Sequence, residues 1–87
     1  MHETGLVRDL VRRLEALARD ARAKKVVSVT VWLGALSQMS PEHFREHFEA
    51  DVCGSLAEGT ALTLEVSDDP GHPNAQSVML QSAELAV

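Results

Sequence analysis

Hydrophobic residues recur at spacings of three and four in the first quarter of the chain, the pattern of one face of an amphipathic helix. Arg8, Asp9, Arg12 and Glu15 fall on the opposite, polar face. We therefore predict a helix over residues 4–22 whose apolar side faces the core. That side consists of Leu6, Val7, Leu10, Val11, Leu14, Leu17, Ala18 and Ala21.

Residues 26–33 change to a period of two and are rich in β-branched side chains, which predicts a strand. The alternation assigns Trp32 to the open face, where packing on a neighbouring strand and contact with a partner protein are both interpretations of an exposed aromatic ring. The fully apolar set, which should lie under the helices, is Val27, Val29, Val31 and Leu33.

A second helix is predicted after Ser40, with Ser40 as the N-cap, Pro41 at the first helical position and Glu42 in the first turn. Its buried stripe should consist of Phe44, Phe48 and Val52. Cys53 follows this stripe and is expected to be a small buried residue rather than a nucleophile, because no base or orienting group accompanies it.

The last third of the chain contains two more predicted strands, over residues 61–66 and 77–87, separated by a cluster of turn residues. The short connection predicts that these two strands pair antiparallel. In the last strand Gln81 interrupts the apolar set of Met79, Ala83, Leu85 and Val87. The predicted fold is α+β, with two helices packed on one face of a three-stranded sheet and the element order α-β-α-β-β.

The length, charge and hydrophobic content of the chain restrict the classes of protein to which it can belong. A chain of 87 residues forms one domain with a thin core. Its formal charge of -5 has the wrong sign for a nucleic-acid-binding protein. No apolar run reaches the roughly 20 residues that a membrane span requires, and no signal peptide is evident. These features predict a cytoplasmic protein that binds neither nucleic acid nor membrane.

Met1, His2 and Glu3 form a candidate metal site ahead of the first helix. The terminal amine, the following amide nitrogen and the His2 imidazole can close fused chelate rings, and such planar nitrogen ligands suit Ni(II) or Cu(II). Glu3 can add an oxygen ligand or neutralise charge. On these three residues alone, an ordinary solvated terminus explains the sequence as well.

His43 and His47 form a second candidate metal pair, four residues apart on one side of the second helix. Glu46 lies between them, but the order differs from the His-Glu-x-x-His arrangement of zinc proteases. An exposed helix face with two ordinary histidines is the alternative. Since the chain contains no phosphate-binding glycine loop and no nucleophile elbow, we expect no enzyme.

The chain as a whole resembles the HypA/HybF family, the nickel-incorporation accessory proteins of [NiFe]-hydrogenase maturation. The resemblance covers about residues 1–66 and the last strand. Its elements are the Met-His-Glu start, the helix Leu-Val-Arg-Asp-Leu-Val at residues 6–11, Ala-Lys-Lys-Val at 23–26, Gly-Ala-Leu-Ser at 34–37 and Ala-Glu-Gly-Thr-Ala-Leu at 57–62.

The resemblance implies that Ni(II) is a transient cargo bound by the terminal amine, His2 and the backbone after it, with Glu3 at a functional family position. It also implies a maturation GTPase or the hydrogenase large subunit as the recipient. A metallochaperone-like module of this kind is the leading interpretation. The alternative is a metal-independent interaction or regulatory module that uses a sheet edge or the Trp32 face. Unpaired sheet edges are also compatible with a homodimer.

One part of the family pattern is replaced. Family members insert a zinc domain with two Cys-x-x-Cys pairs between the second and third strands, whereas this chain has only a turn over residues 67–76. Cys53 is its single cysteine, so we expect no structural zinc. The expected organisation is therefore one nickel-binding-type domain over residues 1–87.

Overall fold

The computed structural model describes residues 3–87, with side chains from residue 5 onward. The helices are α1 (Glu3–Asp20) and α2 (Pro41–Asp51), and the strands are β1 (Lys25–Leu33), β2 (Ala61–Val66) and β3 (Val78–Ala86). The predicted α+β fold and the order α-β-α-β-β are confirmed. None of the helices in the described part of the chain is long and apolar enough to span a membrane.

The three strands form a mixed sheet in the order β2-β1-β3. Strand β1 pairs in parallel with β2 and antiparallel with β3. The prediction that the last two strands pair with each other is wrong, because β1 lies between them. Helix α2 supplies the crossover that a parallel β1–β2 pair requires, and the segment after β2 passes the end of β1 to reach the other edge.

One hydrophobic core joins the helices to the sheet. The two phenylalanines of α2 stack with their ring centroids 6.0 Å apart and are fully buried, and Val52 lies beside them, as the sequence predicts. Leu17 departs from the predicted stripe of α1, since it is 49% exposed near the end of that helix. The buried residues of α1 and β1 in this core are Val7, Leu10, Val11, Leu14, Ala18, Val26, Val29, Val31 and Leu33.

A β-bulge near the start of β1 reverses part of the predicted alternation. The register with β3 shifts between Val26 and Ser28. Val26 is therefore buried, while Val27 is 41% exposed, so the assignment of Val27 to the core face is wrong. An extra residue in one strand moves the side chains on one side of it to the opposite face of the sheet.

A second bulge, in β3, explains why Gln81 interrupted the apolar set. Thr30 pairs with Ser82, and Val31 pairs with Leu80, so Gln81 is the unpaired extra residue. The residues of β3 that pack against the core are Val78, Leu80, Ala83 and Leu85. Ala83 and Leu85 were assigned correctly, whereas Met79 lies opposite Trp32 and Val87 is 80% exposed beyond the strand.

Candidate metal centre

The first predicted site lies at the N-terminal end of α1. This helix begins at Glu3, so the main chain of Glu3 belongs to its first turn. Met1 and His2 lie outside the described residues, as does the Glu3 side chain. The metal-binding role of all three therefore stays a prediction. The helix behind them is anchored firmly, because Val7 and Leu14 are completely buried.

The second predicted site lies on α2. The cap of this helix is as expected: Ser40 has an extended backbone, and its hydroxyl accepts a hydrogen bond from the His43 amide at 3.3 Å. His43 is exposed and His47 is half-buried. Among the side chains that the structure describes, those of residues 5–87, no three or more His, Cys, Asp or Glu come together in a group that could hold a metal. The pair thus has no third ligand of these types in the described structure.

Cys53 lies just beyond the C-cap of α2, which is Val52. Its thiol is exposed, so the expectation of a buried cysteine is wrong. The buried stripe of α2 ends with Val52, and Cys53 is the next residue, in the turn that follows the helix.

His72 belongs to a cluster that the sequence did not reveal. It lies in the connection after β2, yet its imidazole packs against the indole of Trp32 with ring centroids 4.9 Å apart and an interplanar angle of 47°. The Nδ1 atom of His72 accepts a hydrogen bond from the Asn74 amide at 2.9 Å. Met79 pairs with Trp32 in the sheet and lines the same cavity on the open face.

Both ends of the segment over residues 67–77 are attached to the end of β1. The Ser67 amide donates to the Leu33 carbonyl, and the Gly34 amide donates to the Ser77 carbonyl, each at 2.9 Å. The chain therefore leaves β2 and returns toward β3 at two consecutive residues, Leu33 at the end of β1 and Gly34 just after it. These two hydrogen bonds attach both the start and the end of the segment to the end of the central strand.

Comparison with known proteins places the chain in a family. The sequence model of the HypA family, described as hydrogenase/urease nickel incorporation, metallochaperone, matches residues 1–72. The hydrogenase maturation factor HypA of Bradyrhizobium sp. (strain ORS 278) is 41% identical over 64 residues, which are 74% of this chain and 57% of that relative. The chain belongs to the HypA family.

Two further similarities define the extent of the match. HypA from Azotobacter chroococcum mcd 1 is 38% identical over 72 residues, covering 83% of this chain and 62% of that protein. The chain thus spans less than two thirds of the length of these relatives. The solution structure of the Ni metallochaperone HypA from Helicobacter pylori superimposes with a TM-score of 0.82 at 22% identity, covering 99% of this chain and 98% of that one. This similarity shows the shared fold.

Proposed function

We propose that this chain captures Ni(II) as cargo at its amino terminus and passes it to a protein partner in hydrogenase maturation. The terminal amine, the amide nitrogen of His2 and the His2 imidazole are the proposed nitrogen ligands, with Glu3 as an oxygen ligand or counter-charge. The observation that supports this proposal is the family match, which begins at residue 1 and so includes Met1, His2 and Glu3.

The position of α1 supports a metal site at the N-terminal end of this helix. His2 directly precedes a helix whose next turns are buried in the core through Val7, Leu10 and Val11. The positive end of the helix dipole disfavours a cation there, so the ligands must supply enough binding free energy to exceed that cost. A deprotonated amide nitrogen and the Glu3 carboxylate both add negative charge and offset the dipole. Because the ligand groups lose protons when they bind metal, nickel affinity should fall as the pH decreases.

Transfer of the metal needs a partner that replaces these ligands one at a time. A chain terminus suits this exchange because its ligands lie on a short segment with a single covalent attachment to the fold. A maturation GTPase or the hydrogenase large subunit is the proposed recipient, in line with the function of the family. The chain has no need of a catalytic step in this scheme.

We infer that residues 67–76 stand where longer relatives carry a zinc-binding domain. The hydrogen bonds from Ser67 to Leu33 and from Gly34 to Ser77 hold the first residue of this segment and the residue that follows it at neighbouring positions. An inserted domain can therefore replace the turn without changing the register of the sheet. Cys53 is the single cysteine of this chain, and a zinc site made of two Cys-x-x-Cys pairs needs four.

Calorimetric titration with Ni(II) tests the terminal site. The protein must carry its authentic Met1 without a tag, and His2→Ala is compared with a His43→Ala/His47→Ala double variant. We expect one tight Ni(II) in the parent and in the double variant, and loss of tight binding in His2→Ala. Circular dichroism checks that each variant remains folded. Equal affinity of parent and His2→Ala would exclude capture by the terminus.

The runner-up function is a protein-interaction module in which metal is incidental, and the β2 edge favours it. Val66 on this edge strand is 58% exposed. It borders a surface groove with Leu64, Pro41, Glu42 and Arg45. Capture of the maturation GTPase by the parent and by His2→Ala, each with nickel and with a chelator, separates the two functions. Equal capture under all four conditions favours the interaction module, and capture that needs both His2 and nickel favours the metallochaperone.

A further inference from the structure

A cavity on the open face of the sheet brings an imidazole, a thioether and an indole together. Trp32, His72 and Met79 line it, with Leu80 and Gln81 completing the wall, and its volume is about 290 Å³. The cavity lies on β1, β3 and the connection before β3. Its lining includes neither the histidines of α2 nor any residue proposed as a nickel ligand.

The sheet register fixes two of these side chains relative to each other. Trp32 and Met79 are direct partners in the antiparallel β1–β3 pair, so both point to the same face. The β-carbons of such a pair lie about 4.5–5.5 Å apart. His72 reaches the pair from the connecting segment and places its ring centroid 4.9 Å from that of Trp32. Groups from three separate parts of the chain therefore border one cavity.

We propose that this cavity binds a soft monovalent cation of the Cu(I) or Ag(I) type between His72 and Met79, against the Trp32 ring. A thioether sulfur is a soft ligand that selects Cu(I), and imidazole nitrogen also suits copper. The face of an indole attracts a cation within about 6 Å of its centroid. Ions of this type accept two strong ligands, which is the number that the cavity offers.

The lining of the cavity disfavours the harder divalent ions. None of its five lining residues carries a carboxylate, and Glu65, which pairs with Trp32 from the β2 side, is outside the lining. Ni(II) in a square-planar site favours several nitrogen ligands. The soft-cation site and the terminal nickel site are therefore chemically distinct.

Binding should change one specific hydrogen bond. The His72 Nδ1 atom accepts from the Asn74 amide, so the neutral ring carries its hydrogen on Nε2. A cation at Nε2 moves that hydrogen to Nδ1, and a cation at Nδ1 displaces the Asn74 amide directly. In either case the Asn74 amide loses its partner.

The test is a titration with Ag(I) in chloride-free buffer, followed by the fluorescence of Trp32, the single tryptophan. The background is His2→Ala/Cys53→Ser, because the terminal imidazole and the exposed Cys53 thiol compete for silver. We expect a fluorescence change that saturates at one equivalent. Met79→Leu and His72→Gln should each weaken the apparent affinity at least tenfold.

Two variants that remove a methionine and a histidine outside the cavity serve as controls. Met39→Leu removes a thioether that is buried elsewhere in the core, and His43→Gln removes an imidazole on α2. Both should leave the titration unchanged. Nuclear magnetic resonance should show a large shift of the Asn74 amide on binding. No saturable fluorescence change, or equal affinity in Met79→Leu, would overturn the proposal. If Ni(II) produced an equal fluorescence change that also required His72, the proposed selectivity of the cavity for soft monovalent cations would be overturned.

Discussion

Gly34 lies so close to Ala75 that a β-carbon on Gly34 would overlap the Ala75 carbonyl group and lie 2.9 Å from the carbonyl oxygen of Asn74. The two backbones are joined around this point, since the Leu36 amide donates to the Ala75 carbonyl at 2.8 Å. This approach holds the connection between β2 and β3 against the end of β1. The glycine is needed here for its lack of a side chain.

Gly34→Ala should therefore lower the free energy of unfolding by about 2 kcal/mol or more, because the backbone of Ala75 must move to admit a methyl group. Gly71→Ala is the matched control in the same connection. Its β-carbon would come no closer than 3.4 Å to the Asp69 carboxylate, so its effect should stay within about 0.5 kcal/mol. Urea denaturation measures both. Equal stability of the two variants would contradict the close approach.

Because of the bulge in β1, we predict that the same substitution has different effects on stability at two adjacent valines. Val26→Thr buries a hydroxyl in the core and should cost about 1–3 kcal/mol. Val27→Thr should change stability by no more than about 0.5 kcal/mol, because Val27 is 41% exposed. The same denaturation experiment compares the two variants. A larger loss of stability at Val27 than at Val26 would show that Val27 faces the core, as the simple alternation predicts, and would contradict the bulge.

These valines show where the sequence is sufficient and where it is not. Strand β1 was predicted from its β-branched residues, and both helices from their periodicity and the Ser40 cap. A bulge, however, adds one residue to a strand and cannot be recognised from the amino-acid composition. The assignments of Val27 and Met79 to the core face were therefore wrong. The strand order failed for a related reason: a short connection joins neighbouring strands in most hairpins, but here it crosses the end of β1.

Removal of the α2 cap is a test of the local structure that the sequence did predict. Ser40→Ala should lower stability by about 1 kcal/mol, since the His43 amide loses its acceptor at the start of the helix. Ser40→Asn restores a side-chain oxygen and should recover most of that loss. Thermal unfolding monitored by circular dichroism measures the series. If alanine and asparagine have the same effect, the hydroxyl does not cap the helix.

The candidate sites differ in how much the sequence reveals. The terminal nickel site was proposed from three consecutive residues and from the family resemblance, so it needed no knowledge of the fold. Trp32, His72 and Met79 are far apart in the chain, and only the β1–β3 register and the path of residues 67–77 bring them together. His72 could be interpreted from the sequence only as a surface residue of a loop.

The most direct test of nickel capture by the amino terminus is a Ni(II) titration of two proteins that differ only ahead of Met1. One has the authentic terminus, and the other carries an extension of several Gly and Ser residues, which keeps His2 but moves the terminal amine away from it. Absorption spectroscopy follows the planar Ni(II) complex during the titration. We expect one tight Ni(II) with a planar spectrum in the authentic protein and a large loss of affinity in the extended one. The same affinity and spectrum in both proteins would contradict nickel capture by the amino terminus.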